Sequence, residues 1–177
     1  MTADMTTPRT GDSALADDAR RRTFTWRDPS ETASGAVGRT GIEFMRALAA
    51  GDIPAPPIMA LTGAELTRVD EGVAAFTLEP AEYHYNPIGS VHGGIIATLL
   101  DSAAGCAVHT TLPAGVRYTT LDLSVKYLRA VRVETGPVVC TGTVVHAGRR
   151  TVLAQAELRD ADGALLASAT SSCMILV

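Results

Sequence analysis

The stretch GSVHGGIIATLLDSAAGCAVHTT, Gly89 to Thr111, decides how the chain is read. Ile95, Ile96, Leu99, Leu100, Cys106, Ala107 and Val108 leave no wide polar face, so a helix here must be wrapped on every side by its own protein. Three features do not suit a purely structural rod. His92-Gly93-Gly94 sits at its start, a lone carboxylate, Asp101, lies in its middle, and the chain's only asparagine, Asn86, lies just upstream. Burying an acid costs several kcal/mol unless it is paired or protonated. Gly93 and Asp101 are eight residues apart, roughly 12 Å along an intact helix at about 1.5 Å per residue. The amides at the helix start and the acid at its centre therefore cannot meet one small reacting group within one chain. If both serve one site, the second comes from another copy of the helix running antiparallel, and the motif predicts a homodimer.

The rest of the chain sets the frame. Its 177 residues suffice for one domain with a real core. The net charge of -4 leaves no basic stripe for nucleic acid. No apolar run approaches the roughly 18 residues that span a bilayer, and no apolar leader suggests secretion. Cys106, Cys140 and Cys173 are odd in number and widely spaced, supporting neither a disulfide framework nor a zinc site. The expectation is a cytoplasmic protein without membrane or nucleic-acid partners.

Residues 1–38 lack periodicity and read as a mobile leader, with 39–177 as the folded domain. Thr40-Gly41-Ile42-Glu43 fits a capping box opening a short helix that Gly51 ends. Ala64–Val69 and Val73–Leu78 flank Asp70-Glu71-Gly72 as a hairpin. After the helix, Tyr118–Leu128 alternates, with Leu121, Leu123, Val125 and Tyr127 on one face and Thr120, Asp122, Ser124 and Lys126 on the other. Val138–His146, Thr151–Arg159 and Ala164–Ile175 follow as strands joined by turns. Two strands, one long helix and four strands make an α+β fold, an antiparallel sheet curled around a helix.

Asn86, His92-Gly93-Gly94, Asp101 and YTTLDLSVKYLRA together resemble the hotdog-fold acyl-CoA thioesterases of the phenylacetyl-CoA (PaaI-like) type, within the superfamily of the 4-hydroxybenzoyl-CoA thioesterases. The resemblance covers about residues 60 to 175. It implies hydrolysis of an acyl-CoA to a carboxylic acid and free coenzyme A, with no cofactor beyond the coenzyme A of the substrate. It also implies active sites at the interface of a homodimer, often paired into a tetramer.

The chemistry follows the residues. Helix-start amides offer N–H donors and a partial positive charge to a developing oxyanion, and glycines let it approach. By resemblance Gly93 polarises the thioester carbonyl, with Gly94 as its neighbour. The alternative is a tight helix entry capped by Ser90. Asp101 attacks the thioester or takes a proton from attacking water, the alternative being a structural acid. Asn86 orients water or the carbonyl, unless it closes an Asx turn before Pro87. His92 supports the donors or is structural. Thr120 aligns with a hydroxyl that contacts the acid across the interface in relatives. Strand parity favours Thr119, so Thr120 ranks first only with a bulge. Arg129, Arg132, Arg149 and Arg150 are candidates for the phosphates of coenzyme A, the alternative for each being solvated surface. His84, His109 and His146 have no metal-ligand spacing, and no metal site is expected. Ser102 lies on no nucleophile elbow. Rival readings are a non-catalytic acyl-CoA-binding protein and a hotdog enoyl-CoA hydratase or dehydratase.

Overall fold

The computed structural model describes residues 20–176. The helices are α1 (Pro29–Ser34), α2 (Gly41–Ala50), α3 (Pro57–Thr62) and α4 (Gly93–Thr110). The strands are β1 (Glu65–Asp70), β2 (Val73–Leu78), β3 (Arg117–Tyr127), β4 (Val138–Ala147), β5 (Thr151–Arg159) and β6 (Leu165–Leu176). All six strands form one sheet in the order β1-β2-β4-β5-β6-β3, every neighbouring pair antiparallel. The sheet wraps α4, as the α+β reading of the pattern expects.

α4 seats itself by a narrow repeat. Ile96, Leu99, Leu100, Ala103, Ala104, Ala107 and Val108 recur at three- and four-residue intervals and are all buried against the sheet. Small residues at the middle of that seam let helix and sheet backbones approach. A Cβ placed on Gly142 of β4 would lie 2.0 Å from the Ala103 carbonyl oxygen, so only glycine fits. At the far end Gly41 opens α2 directly on α4, where a Cβ would lie 1.7 Å from the His109 carbonyl oxygen. The capping box expected at Thr40 and Glu43 is formed, and Gly51 closes α2 in the left-handed conformation that glycine tolerates.

The expected wrapping of α4 on every side is incomplete within one chain. Ile95, Thr98, Asp101, Ser102, Cys106 and His109 form a half-exposed stripe opposite the sheet. α2 leans on its C-terminal part, where Phe44 stacks near His109 at 5.3 Å between ring centroids. Seven residues facing the sheet suffice to seat the helix, and apolar composition alone does not say who covers the remainder.

The alternation read along β3 also needs correction. The pairing of β3 with β6 slips between Thr120 and Asp122, making Leu121 the extra residue of a β-bulge. Tyr118 and Thr120 point inward before the bulge, and Leu123 and Val125 after it. Leu121 turns outward and is 54% exposed.

Of the leader 1–38, the described part starts at Arg20 and lies against the body. Arg22 donates to the carbonyls of Ala60 and Leu61 at the end of α3, and its guanidinium sits 4.0 Å above the Tyr83 ring. Residues 1–19 fall outside the described residues.

Candidate active site

The start of α4 is held by the loop Ala81–Val91. His84 is buried and satisfied at both ring nitrogens: Nδ1 accepts from Ala81 N–H at 3.0 Å and Nε2 donates to the Thr62 carbonyl at 2.7 Å. That pattern needs the neutral ring, and burial lowers its pKa below 6.5, with the nearby Arg22 charge acting in the same direction. The His84 carbonyl accepts from His92 N–H at 2.8 Å, which sets the residue from which the helix departs.

His92, not Ser90, is the N-cap. Its Nδ1 accepts from Gly94 N–H at 2.9 Å, which occupies the donor expected to assist Gly93 and fixes the neutral tautomer as Nε2–H. Ser90 Oγ instead accepts from Asn86 Nδ2 at 3.1 Å. Asn86 Oδ1 accepts from the amides of Ile88 (3.0 Å) and Ser90 (3.2 Å), so this asparagine closes the Asx turn foreseen as its structural alternative. Asn86 Nδ2 makes no second hydrogen bond among the described residues.

Gly93 N–H has no partner among the described residues. It borders a cavity of about 260 Å³ whose lining includes Asn86, Ser90, Tyr127 and Arg129. The cavity brings three of the expected residues, Gly93, Asn86 and Arg129, to one place. Tyr127 is the residue that the sequence reading did not single out. Its hydroxyl donates to the Gly93 carbonyl at 2.9 Å, and its ring would lie 3.2 Å from a Cβ on Gly93. A tyrosine at a strand end carries no signal of what its hydroxyl reaches.

Asp101 lies further along α4, over β3. Thr120 Oγ1 donates to Asp101 Oδ1 at 2.9 Å, and Oδ2 has no partner among the described residues. The bulge at Leu121 turns Thr120 inward and leaves Thr119 outward and exposed. The hydroxyl therefore meets the acid within one chain, not across an interface as its relatives' pattern implied. Tyr118 packs on Gly105, the next turn of α4, where a Cβ would lie 2.6 Å from the phenol oxygen. Burial pushes the Tyr118 phenol well above its usual pKa, and the neighbouring Asp101 charge adds to this. Burial likewise pushes the Cys106 thiol to about 12, with Asp101 contributing, so Cys106 stays a thiol at neutral pH and is no nucleophile.

The arginines do not converge within one chain. Arg129 follows β3 and donates its amide to the Leu166 carbonyl, whereas the Arg150 carbonyl accepts from Ile175, which pairs with Tyr118. Arg149 and Arg150 thus lie at the opposite end of β3, roughly 30 Å from Arg129 by the nine residues of β6 between Leu166 and Ile175 at about 3.3 Å per residue. Among the described residues no group of three or more His, Cys, Asp or Glu side chains is placed to hold a metal ion. Among them no helix is long and apolar enough to cross a membrane.

The chain as a whole has known relatives. The family model of the thioesterase superfamily matches residues 88–167, from the loop before α4 into β6. A medium/long-chain acyl-CoA thioesterase of Salmonella typhimurium is 31% identical over 134 residues, 67% of this chain and 85% of the relative. A Halobacterium salinarum protein named as an esterase is 42% identical over 79 residues, 42% of this chain and 52% of that protein. The crystal structure of a phenylacetic acid degradation-related protein from Ralstonia eutropha JMP134 superposes with a TM-score of 0.67 at 28% identity, covering 73% of this chain and 98% of that one. The chain belongs to the thioesterase superfamily, as a hotdog-fold thioester hydrolase of the PaaI-like type.

Proposed function

We propose that the protein hydrolyses acyl-CoA thioesters to a carboxylic acid and free coenzyme A, at two equivalent sites of a homodimer. Each site would pair Asp101 of one protomer with the Gly93 amide of the other. The observation that carries this reading is the state of α4. An unpartnered N–H stands at its start, and an acid with one uncommitted oxygen stands roughly 12 Å along it by helix rise. An antiparallel second α4, laid along the half-exposed stripe, offers each acid to the other chain's amide. The free edge of β3, with Leu121 outward, supports an interface on that side.

In this scheme the thioester oxygen accepts a hydrogen bond from Gly93 N–H, with the positive end of the helix dipole behind it. The Asp101 carboxylate either attacks the carbonyl carbon, expelling the coenzyme A thiolate to leave a mixed anhydride for water to open, or takes a proton from water that attacks directly. Hydrolysis in ¹⁸O-water under single-turnover conditions separates the two, since only the anhydride route can place the label in Asp101. Thr120 holds the carboxylate in one rotamer. His92 positions the amides by capping α4, and Asn86 shapes the loop and can still donate one hydrogen. Antiparallel pairing also brings one protomer's Arg129 towards the end of the site where the partner's Arg149 and Arg150 lie, so phosphates of coenzyme A meet arginines from both chains. No metal or redox cofactor enters the scheme. We assign the protein to the cytoplasm, where free cysteines stay reduced, and extend the dimer to a dimer of dimers.

The test uses two variants. Asp101→Ala is expected to lower kcat by roughly 10²- to 10⁴-fold, with the melting temperature retained; near-wild-type turnover in the folded variant rejects the assignment. Gly93→Val should be similarly impaired. Co-expressed as mixed dimers, the two should regain activity, because one of the two sites is then intact. Absence of recovery in isolated heterodimers rejects the two-chain site. Hydration of an enoyl-CoA at a rate exceeding thiol release would favour the hydratase reading instead.

A further inference from the structure

A series of hydrogen bonds runs from the end of α3 to the start of α4 through the buried ring of His84. Nε2 donates to the Thr62 carbonyl at 2.7 Å and Nδ1 accepts from Ala81 N–H at 3.0 Å. The His84 carbonyl accepts from His92 N–H at 2.8 Å, and His92 Nδ1 accepts from Gly94 N–H at 2.9 Å. His92 is thus held at its main chain from one side and at its side chain from the other. The Gly93 N–H lies in the peptide plane that Gly93 shares with His92, so the placement of His92 sets where that amide points. The base of the loop has separate anchors on the strand side. Tyr85 and Val91 form an antiparallel bridge, Val91 N–H donates to the Val131 carbonyl at 2.8 Å, and Val133 N–H donates to the Tyr85 hydroxyl at 2.8 Å. One guanidinium backs both ends of the His84 bridge. Arg22 donates to the carbonyls of Leu61 and Ala60, beside Thr62, and lies 4.0 Å from the centroid of the Tyr83 ring, beside His84. The Tyr83 and His84 rings meet edge-on, their centroids 4.3 Å apart.

We propose that His84 is a positioning residue for thioester hydrolysis, its two-ended bridge aiming the Gly93 amide through His92, with Arg22 of the N-terminal segment bracing that bridge. The inference rests on the reading of Gly93 N–H as the oxyanion donor, given under the proposed function. An apolar side chain could fill the same buried space. A ring with both nitrogens committed does more: it cannot turn without leaving a buried polar group unpartnered, so it specifies a position as well as a volume. Burial, with the Arg22 charge acting in the same direction, keeps the ring neutral, as Nδ1 requires in order to accept. Because the strand-side anchors hold the loop independently, loss of the bridge loosens His92 and the first turn of α4 while the loop stays folded. The N-terminal segment thereby acts on the reacting end of α4 without touching it.

The experiment pairs octanoyl-CoA hydrolysis, followed by thiol release, with amide hydrogen exchange of the full chain, read by mass spectrometry over residues 90–96. His84→Phe fills the space without either ring bond. Its kcat should fall about 10- to 100-fold, the scale of an ångström of misplacement, with KM within about 2-fold of wild type. Exchange over 90–96 should quicken about 10-fold or more while that of β5 stays unchanged. Either a wild-type kcat or unchanged exchange over 90–96 in the folded variant overturns the proposal. So does exchange that quickens equally in β5, the mark of general destabilisation. His84→Gln keeps an N–H donor near the place of Nε2 and should recover most of the rate; absence of recovery overturns the bond to α3 as the cause. Should His84→Phe not fold, Arg22→Met is read by the same two measures. A smaller fall in kcat with faster exchange over 90–96 supports the brace, and either one unchanged overturns it. Should the wild-type protein leave octanoyl-CoA intact, the exchange measurement still decides on the bridge, and the failure falls on the substrate reading alone.

Discussion

Thr120 illustrates how one hydrogen bond ties local backbone irregularity to chemistry. Its hydroxyl reaches Asp101 only because Leu121 bulges out of the β3-β6 ladder. Hydrogen bonds to a charged group contribute about 1.5–3 kcal/mol. Thr120→Val, nearly isosteric, is therefore expected to lower kcat between about 10- and 100-fold while KM moves little; steady-state kinetics decide, and an unchanged kcat detaches Thr120 from the acid's role. Tyr127 acts on the other half of the site. Tyr127→Phe removes the bond to the Gly93 carbonyl, and a stability loss of about 0.5–1.5 kcal/mol in urea unfolding is expected. Among the candidate residues, Asp101, Gly93, His92 and Asn86 could be singled out in the sequence because an acid in an apolar helix, paired glycines and a lone asparagine stand out against composition. Tyr127 was not, since a hydroxyl's partner depends on which backbone lies 2.9 Å away. That His92 rather than Ser90, the structural alternative, caps α4 and so occupies the Gly94 amide was not readable, because cap choice depends on which side chain the loop turns back onto its own helix.

At the scale of the element, α4 is held to the sheet by a seam of small residues and capped by the His92 side chain. Gly142→Ala forces a methyl into the Ala103 carbonyl, so helix and β4 must separate; a loss of about 1–3 kcal/mol, the usual cost of overpacking, is expected in chemical denaturation. A variant as stable as wild type would show that the seam yields elsewhere. The order and approximate limits of the strands, α2 and α4 followed from periodicity and turn residues, which are local properties, whereas α1 and α3, six residues each, are too short to show a periodicity and were not expected. The bulge in β3 did not, because a bulge is a relation between two strands, and neither strand alone records the register of its pairing.

For the whole molecule, pH and assembly give the sharpest tests. His84 and His109 are both held below 6.5 by burial, His84 also by the Arg22 charge. Their stabilising effect is complete above pH 6.5, where both states are neutral. It is lost as pH falls from 6.5 to the lower folded pKa values, because the unfolded chain takes up the protons first. The melting temperature should thus fall between pH 7 and 5, above the carboxylate range; a flat profile there contradicts neutral burial of these rings. In the same frame, Leu121→Arg on the exposed β3 edge is expected to break the two-chain pairing along that edge, lowering the mass seen by light scattering, and to abolish thioesterase activity with it. An active monomer would refute a site shared by two chains.

The sequence by itself determined that one acid-bearing helix is enclosed by an antiparallel sheet, because hydrophobic periodicity and turn chemistry are written residue by residue. Only the tertiary structure decided which amide at the helix start stays unpartnered among the described residues and that the threonine bonds the acid of its own chain. Each of these depends on distances between segments far apart in the chain, and those distances are set by packing that no single segment encodes.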